Sequence, residues 1–246
     1  MSLERIYITR HGYRSNWIED VPIPPPPTGI DGDFVLSAHG EEQAIELADY
    51  LATVEPKIER IYCSPFYRCL QTVDELAKRL DVPIWPENGV GEWYGVTRAT
   101  HPVPATVETL HKFFPLVDKE YTPMIVPSSN GETKDELHAR AAEALRQIIE
   151  RANKDGIRAL LICSHAATLI AIGRALTGNS GFEVRTGVSS VGEYAAKGDD
   201  GNGVGKWTCV RNGDAGHLSQ GEERHWDFEA GNYDFLDVQA HKSSIA

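Results

Sequence analysis

The sequence has few cysteines and no long apolar run, and both features limit what the protein can be. Its 246 residues include 4 cysteines, and none of them stands in a Cys-x-x-Cys pair. This spacing argues against a disulfide framework or a cysteine-rich metal site, so we expect reduced and mostly buried thiols. No apolar run approaches the roughly 18 residues that cross a bilayer, and the first residues resemble no secretory signal. We therefore expect a cytoplasmic or nuclear protein without a membrane partner.

Positive charge is also scarce, and this narrows the choice of partners. The chain has 24 lysines and arginines against 36 aspartates and glutamates, which gives a net charge of -12 with neutral histidines. An acidic protein is repelled by the phosphate backbone, so we expect no direct contact with nucleic acid. Against this background, the run Arg10-His11-Gly12-Tyr13-Arg14 places basic groups directly after an apolar, strand-like segment. A local binding site for an anion would explain that placement.

Strand and helix patterns alternate along the chain. Short apolar segments predict buried strands, and most are followed by segments with apolar residues at helical spacing. The predicted strands cover 6–8, 58–63, 82–85, 158–163, 188–196 and 206–211. The predicted helices cover 37–50, 106–114, 132–154 and 166–176, and a further helix begins near Pro65. The last two strands are expected to form a hairpin through a turn at 198–203. The alternation indicates a mainly parallel sheet with helices on both faces, and the absence of a linker favours one domain, 1–246.

Polar side chains gather where three of the predicted strands end. His11 follows the first strand, Ser64 follows the second, and His165 follows the strand at 158–163. Ligands of open α/β sheets bind at the carboxyl ends of the strands. If these strands are neighbours, the two imidazoles meet three guanidinium groups, those of Arg10, Arg14 and Arg68. Guanidinium groups match phosphate oxygens and keep their charge at any working pH, so the pattern predicts a phosphate-binding hollow.

Four motifs occur in order along the chain. They are Arg10-His11-Gly12, the stretch SPFYRCLQT at 64–72, Gly91-Glu92-Trp93, and the stretch SHAAT at 164–168. Together with LSAHGEEQA at 36–44, they resemble the histidine phosphatase superfamily, whose members have the phosphoglycerate-mutase-like fold. The resemblance spans roughly residues 5 to 175. It implies a three-layer α/β/α sandwich with a mainly parallel central sheet.

The resemblance also implies a mechanism. His11 would attack phosphorus and carry the phosphoryl group as phosphohistidine. The phosphoryl oxygens would be held by Arg10, Arg14, Arg68 and His165. Glu92 would protonate the leaving oxygen and then activate water against the intermediate, so His11, Glu92 and His165 would form the catalytic set. This scheme needs no metal ion and no cofactor, because the guanidinium groups supply the charge.

The residues after His11 distinguish branches of this family. Cofactor-dependent mutases tend to continue with Glu-Ser-x-x-Asn, whereas this chain continues with Tyr13-Arg14-Ser15-Asn16-Trp17. The form with Arg14 resembles the phosphatase branch, including the protein-tyrosine phosphatases of the ubiquitin-associated and SH3 type. The proline string at 22–27 and the run at 10–17 are most similar to the phosphatase-like domain in a fungal subunit of transcription factor TFIIIC, and to the free-standing paralogue of that subunit.

The resemblance leaves three functions open. The first is a phosphomonoesterase that acts on a phosphorylated small molecule or phosphoprotein, with phosphotyrosine among the candidates. The second is an interaction module of the RNA polymerase III factor TFIIIC, which binds transcription-complex subunits and keeps little activity. The third and weakest is a phosphoglycerate mutase. Two questions about side chains also stay open: Glu92 is either catalytic or a solvated loop charge, and Trp17, Trp93 and Tyr94 either line the pocket or pack in the protein.

Overall fold

The computed structural model describes residues 2–96, 101–198 and 203–229, and a six-stranded sheet lies at its centre. The strands, in chain order, are β1 Arg5–Arg10, β2 Arg60–Cys63, β3 Ile84–Pro86, β4 Ala159–Ser164, β5 Val191–Ala196 and β6 Trp207–Asp214. Their order in the sheet is β3-β2-β4-β1-β5-β6. The first four strands pair in parallel, whereas β5 is antiparallel to both β1 and β6. The prediction of a mainly parallel sheet is thus confirmed.

Helices cover both faces of this sheet. In the described ranges, the α-helices are α1 Ala38–Leu51, α2 Tyr67–Leu80, α3 Val107–Phe113, α4 Lys134–Lys154 and α5 Ala166–Thr177. On one face, α1 and α2 pack in a core that includes Tyr7 and Leu161. On the other face, α4 and α5 pack in a core that includes Ile6 and Leu160. Neighbouring residues of one strand point to opposite faces, so the arrangement confirms a three-layer α/β/α sandwich.

No helix in the described part of the chain combines the length and the apolar character that crossing a bilayer requires.

The strand register brings the ends of three central strands together. Arg10 pairs with Ser164 across β1 and β4, and Cys63 pairs with Cys163 across β2 and β4. The residues that follow β1, β2 and β4 therefore begin at the same edge of the sheet. Almost every residue of β1 and β4 is buried, so packing on both faces fixes this register.

Helix boundaries differ from the expected ones where polar side chains cap the helix. α4 begins two residues later than expected, because Thr133 and Glu136 form a reciprocal capping box. α2 begins at Tyr67 rather than at Pro65, and the Asp33 carboxylate accepts the N–H of Tyr67 at 2.8 Å. The turn expected between β5 and β6 falls partly on residues 199–202, which lie outside the described residues.

The first turn of α1 crosses the loop after β1 at very short range. Gly40 makes this crossing possible, because a Cβ atom there would lie 2.1 Å from the carbonyl oxygen of Tyr13. A Cβ atom at Gly12 would in turn lie 2.8 Å from the carbonyl oxygen of Gly40. Ser37 closes the corner, since its hydroxyl accepts the N–H of Gly40 at 3.0 Å. The path of the chain directly after His11 therefore depends on two glycines.

We expect Gly40→Ala to destabilise the protein. In an unhindered helix this change stabilises by about 1 kcal/mol. Here the methyl group would meet backbone atoms, and overpacking of this kind costs about 1–3 kcal/mol. Urea denaturation should show a lower midpoint with an unchanged slope. Gly95→Ala is the control, because a Cβ atom at Gly95 meets nothing within 4 Å, and equal midpoints for the two variants would contradict the prediction.

Candidate active site

His11 is held in the orientation that a nucleophile needs. The residue is 1% exposed, and its Nδ1 atom lies 2.8 Å from the carbonyl oxygen of Gly12. Because a carbonyl oxygen only accepts, Nδ1 carries the proton and Nε2 keeps its lone pair. Burial, followed by the positive charges of Arg68 and Arg10, holds the pKa of His11 well below its usual value. The imidazole is therefore neutral at neutral pH.

His165 lies beside His11, and the centroids of the two rings are 5.3 Å apart. Its Nε2 atom lies 2.7 Å from Oγ of Ser64, and its Nδ1 atom lies 3.0 Å from Oε2 of Glu92. Burial acts to lower the pKa of His165, but Cys69 and Glu92 act in the opposite direction and leave this pKa raised. The two imidazoles thus differ, because His165 favours the protonated form and His11 favours the neutral form.

Glu92 lies between His165 and Arg68 inside the site. Its Oε2 atom is 3.0 Å from Nδ1 of His165 and 3.1 Å from Nη2 of Arg68. Its Oε1 atom accepts the backbone N–H of Trp93 at 3.0 Å. Burial would raise the pKa of Glu92, but the charges of His165 and Arg68 outweigh burial and hold the pKa below its ordinary value. The side chain is thus an ionised carboxylate within the site and not a solvated loop charge.

The irregular segment that carries Glu92 is fixed by the layers beneath it. Arg140 of α4, Thr168 of α5 and Ser164 of β4 donate hydrogen bonds to carbonyl oxygens within 89–91, at 2.8, 2.8 and 2.6 Å respectively. Buried carbonyl groups outside regular structure need such partners. These bonds hold the backbone next to Glu92 in place.

Arg68 brings a buried guanidinium group from the first turn of α2. The residue is 1% exposed, and its Nη2 atom lies near Glu92 and His165, at 3.1 and 3.2 Å. Its Nη1 atom is 3.9 Å from Oδ1 of Asp33, a buried carboxylate that the sequence did not single out. The Nε and Nη1 atoms make no hydrogen bond within the described residues. Buried donors without partners cost free energy, so these N–H groups are available to the oxygens of an anion.

Arg10 and Arg14 supply the other two guanidinium groups. Nη1 of Arg10 donates to the carbonyl oxygens of Thr186 at 3.0 Å and of Arg224 at 2.5 Å. The guanidinium group of Arg14 lies 4.1 Å from the ring centroid of Trp17, in a cation–π contact. Both arginines are buried, at 2% and 9% exposure. Backbone carbonyls and an aromatic face thus contribute to holding these two guanidinium groups in place.

These groups meet around one cavity of about 300 Å³. Its lining includes all six side chains that the sequence singles out, which are Arg10, His11, Arg14, Arg68, Glu92 and His165. The structure therefore brings together residues that lie far apart in the chain, as the motifs predict. No cluster of three or more His, Cys, Asp or Glu side chains in the described ranges is arranged to hold a metal ion.

Aromatic side chains form part of the cavity wall. Tyr94, Phe34 and Trp226 are among the lining residues. Trp17 and Trp93 pack elsewhere: Trp17 lies under the guanidinium groups, and Nε1–H of Trp93 donates to a backbone oxygen at 2.9 Å. Of the three aromatic residues left open by the sequence, Tyr94 alone is among the lining residues. Phe34 and Trp226 come from segments without motifs.

The segment 222–226 completes the site, and the sequence did not point to it. The carbonyl oxygen of Arg224 accepts from Arg10, and the guanidinium group of Arg224 lies 4.4 Å from the ring centroid of Trp17. Trp226 lines the cavity. The aromatic residues in this part of the chain are the one signal that could have identified it, because no motif or periodicity does.

Two sets of hydrogen bonds tie this segment to the rest of the site. Nε2 of Gln43 donates to Oε2 of Glu223 at 2.6 Å, and Nε2 of His39 lies at the same distance from that oxygen. The hydroxyl of Thr186 donates to the carbonyl oxygen of Trp226 at 2.7 Å. The backbone carbonyl that contacts Arg10 is thus held from α1 and from the segment before β5.

Residues 6–189 match the family model of the histidine phosphatase superfamily (branch 1). The match includes the segments after β1, β2 and β4 that line the cavity. The chain belongs to the histidine phosphatase superfamily, as its motifs predict.

Curated relatives of the chain include both a transcription factor subunit and a phosphatase. The chain is 38% identical to the transcription factor tau 55 kDa subunit of Saccharomyces cerevisiae, a TFIIIC subunit, over 93% of this chain and 59% of that protein. It is 31% identical to the ecdysteroid-phosphate phosphatase of Drosophila melanogaster, over 71% of this chain and 27% of that protein. It is also 31% identical to the ubiquitin-associated and SH3 domain-containing protein A of Mus musculus, over 67% of this chain and 26% of that protein. The chain thus spans less than two thirds of the length of each relative.

Solved structures of other proteins share the fold. The ecdysone phosphate phosphatase of Bombyx mori, in complex with tungstate, superposes with a TM-score of 0.69 at 19% identity, over 92% of this chain and 99% of that chain. YhfR of Bacillus stearothermophilus superposes with a TM-score of 0.57 at 20% identity, over 87% of this chain and 99% of that chain. At these identities the likeness concerns the fold, and it confirms the phosphoglycerate-mutase-like architecture.

We expect the two imidazoles at the strand ends to titrate in a fixed order. The pKa of His11 lies below its usual value and the pKa of His165 lies above it, so His165 should take up its proton first as the pH falls. Nitrogen-15 NMR of the labelled protein near pH 6.5 should show His11 neutral with its proton on Nδ1, and His165 as an imidazolium. His11→Gln assigns the signals. The reverse order, or a proton on Nε2 of His11, would contradict the geometry.

Proposed function

We infer that the chain is a phosphomonoesterase that transfers the phosphoryl group of its substrate to His11 and then to water. The observation that carries the inference is the 2.8 Å contact between Nδ1 of His11 and the Gly12 carbonyl, which leaves Nε2 as the nucleophilic atom beside a cavity lined by guanidinium groups. A neutral imidazole is a nucleophile, and guanidinium groups bind the oxygens on which charge develops during transfer. Family membership and the phosphatase relative support the same chemistry.

In the first step, Nε2 of His11 attacks phosphorus, the N–P bond forms, and the P–O bond to the leaving group breaks. The leaving oxygen keeps the electron pair of that bond and takes a proton from Glu92. The equatorial oxygens of the phosphoryl group are held by Arg10, Arg14, Arg68 and His165. These four side chains are buried, and their charges stabilise the transition state.

Glu92 must carry a proton to act as an acid, although it is ionised in the cavity as described above. A bound phosphate dianion meets this requirement in two ways. It adds negative charge next to the carboxylate. Its oxygens also accept hydrogen bonds from Arg68 and His165, the groups that hold the pKa of Glu92 low. Both effects raise the pKa of Glu92, so proton uptake should accompany substrate binding.

In the second step, water attacks the phosphohistidine and the N–P bond breaks. The carboxylate of Glu92 takes the proton from water, and Nε2 of His11 recovers its lone pair. One carboxylate serves both steps, because water approaches phosphorus from the side that the leaving group has vacated. Aromatic residues on the cavity wall, including Tyr94, favour an aryl leaving group such as that of phosphotyrosine.

The purified chain should hydrolyse para-nitrophenyl phosphate, and His11→Ala should abolish the release of phenolate. We expect a loss of about 10³-fold or more, because no N–P bond can form without the nucleophile. His111→Ala is the matched control, since His111 lies in α3 and does not line the cavity. Turnover that survives His11→Ala would contradict the proposal.

The same assay, run with two esters, tests whether Glu92 is the acid that protonates the leaving group. Para-nitrophenolate leaves readily without a proton, whereas phenolate, with a conjugate-acid pKa of about 10, needs one. Glu92→Gln should therefore reduce kcat/KM by about tenfold more for phenyl phosphate than for para-nitrophenyl phosphate. Equal losses for the two esters would remove Glu92 from the acid role and leave the nucleophile in place.

A second candidate function is an interaction module of a transcription complex, and one observation favours it. The identity of 38% over 93% of the chain with a TFIIIC subunit exceeds the 31% identity with the phosphatase relative. In this alternative the anion cavity is retained, the surface docks on other subunits, and the protein acts in the nucleus. Anion binding then serves assembly and not turnover.

Purification of the tagged chain from its own cells decides between the two functions. The interaction module predicts that TFIIIC subunits copurify, that they do so equally with His11→Ala, and that turnover is negligible. A chain that hydrolyses phosphate esters and copurifies with no such subunit would contradict this second candidate.

A further inference from the structure

A second cavity adjoins the first on the side of Glu92. This side cavity has a volume of about 190 Å³, and the residues common to both cavities are Glu92, Tyr94, His101 and Pro102. The rings of Tyr94 and His101 stack, with centroids 5.0 Å apart and planes inclined by 29°. The stacked rings therefore stand between the phosphate cavity and the side cavity. The position of the side cavity next to Glu92 matters, because Glu92 is the group expected to meet the leaving oxygen.

The wall of the side cavity is mostly apolar. Its lining includes the prolines Pro65, Pro104 and Pro127 and the valines Val103 and Val126. The two valines are 72% and 81% exposed, more than any other large hydrophobic residue with an exposed side chain in the described ranges. Single exposed apolar residues are ordinary, but a group of them in a concave region marks a binding site.

The charges around the side cavity exclude one class of ligand. Among the described residues, no lysine or arginine lines it. Its acidic side chains are Glu92 and Glu132, and Glu132 is already paired with Arg140 at 2.7 and 2.8 Å. A carboxylate or second phosphate of a ligand would find no basic partner among the described lining residues and would lose hydration against an apolar wall. The side cavity thus suits a neutral group, whereas the phosphate cavity suits an anion.

His101 offers a polar contact within this apolar wall. Both of its ring nitrogens are buried, and neither has a hydrogen-bond partner within the described residues. Buried polar atoms are usually satisfied by protein, water or ligand. A neutral hydroxyl or carbonyl group of a ligand can satisfy one of these nitrogens.

We propose that the side cavity is a leaving-group subsite, and that the substrates are phosphate monoesters of neutral, apolar alcohols that extend beyond a single ring. The proposal rests on the proposed function, because it takes Glu92 as the group that meets the leaving oxygen. A phosphate held by the guanidinium groups projects its leaving group past Glu92 and across Tyr94 and His101. The proposal narrows the aryl esters considered above to small molecules, since a phosphopeptide continues in two directions from its side chain and the structure offers one side cavity next to Glu92 in the described ranges.

Binding of two phosphonates tests the subsite without depending on turnover. Isothermal titration calorimetry should give a dissociation constant about tenfold lower for 4-biphenylylphosphonate than for phenylphosphonate, because the second ring is buried in the side cavity. A carboxylate on the far end of the biphenyl group should remove this advantage, because the apolar wall offers it no basic partner among the described residues.

Variants locate the effect at the side cavity. Val126→Asp should bring the ratio of the two dissociation constants close to one, because it places a charge in the apolar wall. Val210→Asp is the matched control, since Val210 lies in β6, is 54% exposed and lines neither cavity. The ratio measured for this control should equal that of the unmodified chain.

Several results would overturn the proposal. They are equal affinity for the two phosphonates, a ratio that Val126→Asp leaves unchanged, or tighter binding of a phosphotyrosine peptide than of 4-biphenylylphosphonate. If neither phosphonate binds, both the subsite and the phosphatase function fail. If the biphenyl preference is present but para-nitrophenyl phosphate is not hydrolysed, the subsite stands and the phosphatase function fails, so the two inferences are tested separately.

Discussion

Buried positive charge at the ends of β1, β2 and β4 is the constraint on which the rest of the site depends. Three guanidinium groups line the cavity against the carboxylates of Asp31 and Glu92. Removing a charged group from water costs several kcal/mol unless partners compensate it. Backbone carbonyls of Thr186 and Arg224 compensate Arg10 in part. A phosphate dianion would bring negative charge to these buried guanidinium groups, so ligand binding and the burial of charge are coupled at this edge of the sheet.

The same charges give the two key groups different responses to an anion. Burial is the largest cause of the low pKa of His11, and a bound anion does not relieve burial. The low pKa of Glu92 arises against burial, from the charges of His165 and Arg68, and a bound anion engages both. In the proposed mechanism, an arriving dianion therefore raises the pKa of Glu92 more than it raises the pKa of His11. The two pKa responses differ because burial dominates at His11, whereas neighbouring charges determine the direction of the shift at Glu92.

The elements that the sequence predicts best are those that local rules determine. Short apolar strands and the binding of ligands at strand ends place His11 and His165 together before any coordinates are known. The contact between Arg10 and Arg224 joins residues 214 positions apart, and neither residue type nor spacing marks it. Asp33, which caps the start of α2, could not be predicted from the sequence for the same reason. The pocket aromatics depend on loop paths, and a sequence pattern does not determine those.

This contrast has a functional meaning. The groups that would hold and transfer phosphate come from strand ends that carry the family motifs, and the family match ends at residue 189. The groups that would contact the rest of a substrate come from loops such as 101–104 and 126–132 and from the segment 222–226, where no motif occurs. A strand end has one position relative to its sheet, whereas loops vary in length and path. Motifs therefore predict the reaction of such a protein, while its substrate must be derived from the shape and charge of the loop cavities.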